Sequence, residues 1–371
     1  MKKFDKERLL LAVAGPVMAL VAAILLTSVV LIASGKSPIE PYTLMLEQIG
    51  YSDVQVLIVN QASLYYVAAL AVALGFRMNL FNIGVDGQYR LAAMMTAVVG
   101  AHVDLPAFLQ VPMLLLVAAL TGGIWAGVAG VLKVTRGVSE VVATIMLNAI
   151  ATSLIAYLTL PEVFGELVGD NKTTGLMKES GWVPGIDLGQ DVGEIYGLVF
   201  LAIALGLVYW IVLNRTRFGF DLRATGESES AAAASGVDAK RMILTVMIVS
   251  GAVSGLAGLP LLLGDAHTYS LSFPTGVGFT AIGIALLGRN NPGGIALASL
   301  LWAFLDKASP ALDYATPEPY EKEIATIMQG LIVFAVVISY EVVRTWGLRR
   351  QQKRVGEELA AAANTKKEVA V

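Results

Sequence analysis

Glu140, Thr144, Asn148 and Thr152 recur at every fourth position within the apolar run 138–160. That spacing places all four along one stripe of a helix. A second polar insertion is Phe81-Asn82-Ile83-Gly84-Val85-Asp86-Gly87-Gln88, where two glycines bracket an acid. A third is Asn60 and Gln61, followed by Tyr65 and Tyr66. These groups are mostly amides, hydroxyls and phenols. They suit binding of an uncharged, hydroxylated or heteroaromatic solute better than binding of an ion. Each pattern has two readings. Polar stripes in lipid turn inward, either as interhelical hydrogen-bonding glue or as the wetted wall of a solute route. In the Gly84 region, Asn82 can cap a helix whose Asp86 pairs with Arg90 one turn later, or the break can expose polar groups to a pathway. The residues with pathway chemistry are therefore Asn60, Gln61, Tyr65, Asn82, Asp86, Gln88, Thr144 and Asn148.

Covalent chemistry has no comparable support. There are no cysteines, and His102 and His267 stand far apart without ligand-like spacing, so neither thiolate catalysis nor a metal centre is expected. No HExxH motif or paired nucleophile and base is present. Gly35-Lys36-Ser37 resembles the end of a phosphate-binding loop, but Val30 occupies the required upstream glycine position. If the chain pumps, ATP hydrolysis belongs to a partner.

The elements that must position these residues are membrane helices. Of 371 residues, 56% are hydrophobic and only 15% charged, and mean hydropathy is +0.70. A soluble globular enzyme, a disordered chain and a fibrous repeat are excluded. A net charge of -3 gives no sign of a nucleic-acid partner. The apolar run from Leu10 to Ser34 exceeds a signal-peptide core and reads as a retained first helix. Further runs lie near 54–76, 84–102, 107–132, 138–160, 193–213, 242–264, 276–288, 293–309 and 323–343. With the first they make ten, giving an all-α polytopic membrane protein with about ten crossings. The run 276–288 is short. With the Arg289-Asn290-Asn291-Pro292-Gly293-Gly294 break it reads as broken or half helices over 276–294, like those near 81–88.

Of the 26 Lys and Arg residues, all but Lys36, Lys172, Lys178, Lys307 and Lys322 then fall on one side, which the positive-inside rule makes cytoplasmic. Both termini are expected there. The chain divides into a cytosolic N-terminus (1–9), a transmembrane domain (10–345) and a cytosolic tail (346–371). Segment 161–192, with Glu162, Glu166, Asp170, Asp187 and Asp191, is expected outside. Segment 214–241 is the longest cytosolic loop. Its run 227–235 favours helix through its alanines, with Glu227 and Glu229 in the first turn and Gly236 as terminator. A short helix with a nearly flat Ala face suits insertion into a partner's groove. Gly123 and Gly127, and Gly251, Gly255 and Gly258, read as close helix packing.

The stretches FNIGVDGQ, GVSEVVATIMLN, RATGESESAAAASGV, SGAVSGLAG and ALLGRNNPGG occur in this order. As a set over roughly residues 10–345 they resemble the permease subunit of bacterial ABC importers. The resemblance is to the branched-chain amino acid, simple-sugar and nucleoside permeases, nearest the larger of two paired nucleoside permeases. It implies a multi-pass protein of the bacterial cell (inner) membrane and import of nucleosides or a related neutral solute such as a simple sugar. It further implies a second permease subunit, either a shorter paralogue or a second copy, an ABC ATP-binding subunit that uses ATP and Mg, and an extracytoplasmic solute-binding lipoprotein. The chain itself would bind no cofactor. Glu227–Ser235 matches the position of the family's coupling helix, and Thr225, Gly226, Ala231, Ala232 and Gly236 match its loop pattern. Ala233 and Ala234 depart from it. The competing reading is a secondary transporter driven by an ion gradient, with the Gly-interrupted regions 82–88 and 288–294 as a repeat pair. Against it, Asp86, Glu140 and Glu323 all lie near expected helix ends rather than mid-span.

Overall fold

The computed structural model describes residues 6–314, 320, 322–339, 342 and 345. The expected cytosolic tail over 346–371 and the first five residues lie outside them. Contacts divide the chain into two units, Met1–Tyr42 with Glu321–Val371, and Thr43–Tyr320. In the first unit, α1 (Lys6–Ala33) is 28 residues long, about 42 Å at 1.5 Å per residue, with an uncharged stretch over Gly15–Ala33. Gly35 ends it in a left-handed conformation, and the Lys36 amide donates to Leu31 O at 2.9 Å. The unit also holds the apolar helix Glu323–Ser339. A short helix, α2 (Glu40–Glu47), comes next in the chain.

The second unit is built on α3 (Ser52–Phe76), whose residues Val67 to Gly75 are all buried. A helix apolar on every side must lie inside a bundle. Next come α4 (Val85–His102), α5 (Ala107–Arg136), α6 (Glu140–Leu158) and α7 (Val199–Arg215), of which α7 packs on α3 while α4 packs mainly against α5 and α6. The helix α8 (Arg217–Glu227) turns 72° from α7, and α9 (Glu229–Ala234) follows. Then come α10 (Ala239–Gly255) and α11 (Leu259–Leu261), a π-turn to Ala266, α12 (Val277–Leu287) and α13 (Pro292–Ala308). The Glu323–Ser339 helix is α14.

Among the described residues six helices are long and apolar enough to cross a membrane, or seven if the bent α7–α8 pair counts as one span. Of the expected crossings, α4, α12 and α14 fall outside this set. Asp86, Gln88 and Arg90 load the first turns of α4 with polar groups, and α14 has 17 described residues. The 11 residues of α12 rise only about 16 Å, roughly half the hydrocarbon thickness. The break after α12 runs through Arg289 and Asn290, both left-handed, with φ of 55° and 53°.

The tightest packing is the crossing of α5 and α10. A Cβ on Gly122 would lie 2.2 Å from Gly251 O, and one on Gly255 2.1 Å from Ala118 O. The backbones therefore touch, which only glycine permits. Sequence spacing singled out Gly123 and Gly127. The contact runs one residue earlier, because Gly122 faces α10 directly while Gly123 and Gly127 meet the Ile248 backbone and side chain at its edge.

The segment between α6 and α7 holds two small antiparallel hairpins, β1 (Glu166–Val168) with β2 (Asn171–Thr173) and β3 (Ile186–Asp187) with β4 (Glu194–Ile195). Its middle is fastened to the chain just after α11. The amides of Thr174, Met177 and Val183 donate to the carbonyls of Tyr269, His267 and Leu263 at 3.0, 2.9 and 2.9 Å. The Trp182 ring stacks on His267 at 4.0 Å and 8°. Burial holds the His267 imidazole below the usual histidine range, although Asp265 and Glu194 pull the other way.

Candidate functional site

The bend between α3 and α4 gathers several buried polar side chains, Asn82, Asp86 and Gln88 among them. Its residues Arg77 to Gly84 leave the helix, with Asn79 left-handed at φ 54°. Asn82 then makes a closed set of contacts. Its Oδ1 accepts from the Gly84 amide at 3.1 Å and from Gln88 Nε2 at 2.8 Å. Its Nδ2 donates to Gln88 Oε1 at 3.0 Å and to Ser250 Oγ at 2.9 Å. Ser250 donates onward to Ala71 O in α3 at 2.7 Å. Asn82 and Gln88 are each 1% exposed, so this network is sealed. Asn82 does not cap α4 by its side chain; Gly84 is the cap residue and Asn82 closes the turn before it. Asp86 pairs with Arg90 at 3.8 Å, one helical turn apart, as the spacing predicts.

The α6 stripe faces this bend along its whole length. Glu140 Oε2 meets Lys133 Nζ at 2.6 Å, and its Oε1 accepts from the Phe81 amide at 3.4 Å. Thr144 donates to Glu140 O at 2.7 Å within its own helix. Asn148 donates to Ile83 O and accepts from the Gly87 amide, both at 2.9 Å. Thr152 accepts from Arg90 Nη1 at 3.2 Å. Asn82, Asp86, Gln88, Thr144 and Asn148 are thus one constellation, in which α6 clamps the start of α4.

Asn60, Gln61 and Tyr65 lie elsewhere. Asn60 pins β4 and the chain after it: Nδ2 donates to Glu194 O at 2.8 Å, and Oδ1 accepts from the Tyr196 amide at 3.0 Å. Tyr65 donates to Asp306 Oδ2 of α13 at 3.4 Å, with the half-buried Gln61 one turn away. The Asp306 side chain is 40% exposed, so this second cluster reaches solvent-accessible surface. Sequence reading missed a buried aromatic cluster that packs on α4. Tyr269 and Phe273 pack at 5.0 Å, and Phe273 packs on Tyr89 of α4 at 6.1 Å. All three are buried. The one local signal is the four-residue spacing of Tyr269 and Phe273 between two breaks.

In the loop expected to couple to an ATPase, the helix does not run over 227–235 as one piece. Ser228 is extended (φ −163°) and separates α8 from α9, and its Oγ accepts from the Ala231 amide at 3.3 Å. Glu227 therefore ends α8 rather than opening α9. Thr225 is buried, and its hydroxyl donates to Asp221 O at 2.8 Å. Gly226 lies against the end of α3: a Cβ there would sit 2.7 Å from Arg77 O and from Met78 Cα, and Asn79 Nδ2 donates to Gly226 O. Gly236 follows α9 in a left-handed conformation at φ 85°. Ala231 and Ala233 are exposed, whereas Ala232 is 2% exposed and faces its own chain. The bend before α4 and the α8–α9 hook are thus joined at Gly226.

The family model described as branched-chain amino acid transport system / permease component matches residues 54–337. The chain belongs to this family. That range takes in the α3–α4 bend, the α6 stripe and the α8–α9 hook. The chain is similar to the guanosine ABC transporter permease protein NupP of Bacillus subtilis, with 31% identity over 88% of this chain and 93% of that one. It is 29% identical to the glucose ABC transporter permease protein TsgB13 of Haloferax volcanii over 89% of this chain and 88% of that one. It is 28% identical to the nucleoside ABC transporter permease protein NupB of Lactococcus lactis over 88% of this chain and 90% of that one. The protein is a multi-pass component of the cell membrane and the transport part of an ABC system, not an enzyme. Among the described residues no cluster of His, Cys, Asp and Glu could hold a metal ion.

Proposed function

We propose that this permease imports nucleosides, or a related neutral solute such as a simple sugar, into the cytoplasm. The observation that carries this reading is the likeness to the guanosine permease protein along nearly the whole of both chains. The amide, hydroxyl and phenol groups gathered at the α3–α4 bend and at Gln61 and Tyr65 agree with it chemically. In this reading about ten segments cross or enter the bilayer, both termini are cytoplasmic, 161–192 is external and 214–241 is cytosolic. A second permease subunit completes the pathway. B. subtilis and L. lactis each have two permease proteins similar to this chain, which supports a paired arrangement. An ATP-binding subunit, using ATP and Mg, grips the loop around Thr225, Gly226, Glu227, Ala231, Ala232 and Gly236. A solute-binding lipoprotein delivers the cargo.

The mechanism is differential stabilisation of two shapes. ATP-driven movement of α8 and α9 pulls on the end of α3 through Gly226 and Asn79. The bend from Arg77 to Gly84 transmits that movement to α4 and to the α6 clamp. The solute passes Asn60, Gln61, Tyr65, Asn82, Asp86, Gln88, Thr144 and Asn148 as the bend opens. An ion-gradient mechanism finds no support among the relatives. The test is uptake of labelled guanosine and of glucose by the reconstituted complex. Accumulation of neither would overturn the assigned solute class.

A further inference from the structure

A cleft of about 730 Å³ opens along the side of the second unit between α3, α7 and α13. This is within the range of small-molecule sites. Its wall runs from Val199 to Trp210 on α7 and is faced by Val59 of α3 and Ala296 of α13. The lining is overwhelmingly apolar. Ser63, one of its few polar members, has its hydroxyl engaged with Asn60 O at 2.7 Å. Ile203, Leu207 and Leu300 on the rim are exposed, so the opening faces sideways, where a membrane protein meets hydrocarbon. The helical rise from Val199 to Trp210 is about 16 Å. That is room for a length of acyl chain laid along α7 within a hydrocarbon core about 30 Å thick.

The lower end of the cleft is chemically different. Trp210 stands there beside Asn291 and Gly293, which open α13. Tyr209 donates to Asn290 O at 3.0 Å and fixes the two elements together. Tryptophan at such a level is typical of the membrane–water boundary. Arg215 lies one turn beyond, with its guanidinium 5.5 Å from the Trp210 ring centre, and it is exposed. Arg77 adds a second positive charge at this end, donating to Asn290 O at 2.9 Å. An apolar trough along a membrane helix, closed at one end by tryptophan and flanked there by positive charge, has the complement of a phospholipid.

We propose that this cleft holds one anionic phospholipid, with an acyl chain along α7 and α13 and the phosphate at Arg215. The site stands beside the break that joins α12 to α13, so occupancy braces that break. The proposal rests on the membrane-embedded reading alone. It is read by lipid retention without transport, so it can fail while the assigned solute class stands.

The test is native mass spectrometry of the intact complex from nanodiscs of phosphatidylcholine containing phosphatidylglycerol. The wild-type protein is expected to retain one phosphatidylglycerol through delipidation. Ala296→Phe fills the trough and should abolish that retention. Arg215→Gln should keep a lipid but lower the preference for phosphatidylglycerol about fivefold, the effect of one interfacial charge. A benzophenone amino acid in place of Ile203 should form phospholipid adducts. Retention unaffected by Ala296→Phe, a headgroup preference unchanged in Arg215→Gln, or benzophenone adducts to a partner subunit in place of lipid would each overturn it. The last two readouts keep the proposal testable if Ala296→Phe does not fold.

Discussion

The Gly87 amide donates to Asn148 Oδ1 at 2.9 Å, and so places the first turn of α4 on the middle of α6. The same side chain donates to Ile83 O on the other side of the turn. One amide thus satisfies two backbone groups that the break leaves without helical partners. Replacing Asn148 with Ala leaves both unmet. The expected cost is about 2 kcal/mol, in keeping with an unsatisfied buried group. Lower thermal stability of the purified complex and slower uptake should appear together. Wild-type values for both would place the holding force elsewhere.

The α5–α10 crossing allows a sharp contrast between neighbouring glycines. Gly122→Val drives a side chain into the Gly251 carbonyl and should abolish accumulation of folded protein, seen as loss of the monodisperse peak in size-exclusion chromatography. Gly127→Ala meets only Ile248 side-chain atoms, at 3.3 Å or more, and should change stability by less than about 1 kcal/mol. Equal outcomes for the two would refute a contact centred on Gly122.

His267 makes stability depend on pH. Burial under Trp182 lowers its folded pKa below the unfolded value of about 6.5. Below that value the unfolded chain binds more protons than the folded one, so this contribution is present above about pH 6.5 and is lost as pH falls. The thermal midpoint should drop between about pH 7 and 5, and His267→Phe, which keeps the stack without titrating, should flatten that part of the curve. A steeper fall in the variant would contradict the assignment.

Exposure separates two adjacent alanines in the proposed coupling loop. Ala231→Arg should leave folding intact while lowering ATP-driven uptake at least tenfold, through a weakened hold on the ATPase. Ala232→Arg buries a charge in the chain itself and should lower yield. Pull-down of the ATP-binding subunit and fluorescence-detected chromatography would distinguish the two effects.

The α6 stripe was legible because a four-residue repeat survives in any straight helix, whatever surrounds it. The apolar runs likewise marked where helices form. The short helix Val277–Leu287 was legible from the length of its apolar run and the Asn-Asn-Pro-Gly-Gly break. In the tight glycine contact Gly251 and Gly255 were legible from their four-residue spacing but Gly122 was not, since a run such as Gly122-Gly123 has no internal mark of which member faces the neighbour most closely. The α8–α9 break was missed because the helix-forming alanines outweighed Ser228, whose capping role depends on its extended backbone. The Trp182–His267 stack and the Tyr89–Phe273 contact join residues far apart in the chain. Periodicity carries no information about such pairs.

In the proposed mechanism solute moves only when a separate ATPase drives this chain through the loop at Gly226. The most direct measurement is guanosine uptake into proteoliposomes holding the complete complex, with ATP and Mg supplied on the ATPase side, against vesicles holding the permease chains alone. Accumulation is expected to require both the ATPase and hydrolysable ATP, and to be unchanged by an ionophore. Accumulation by the permease chains without the ATPase would contradict it.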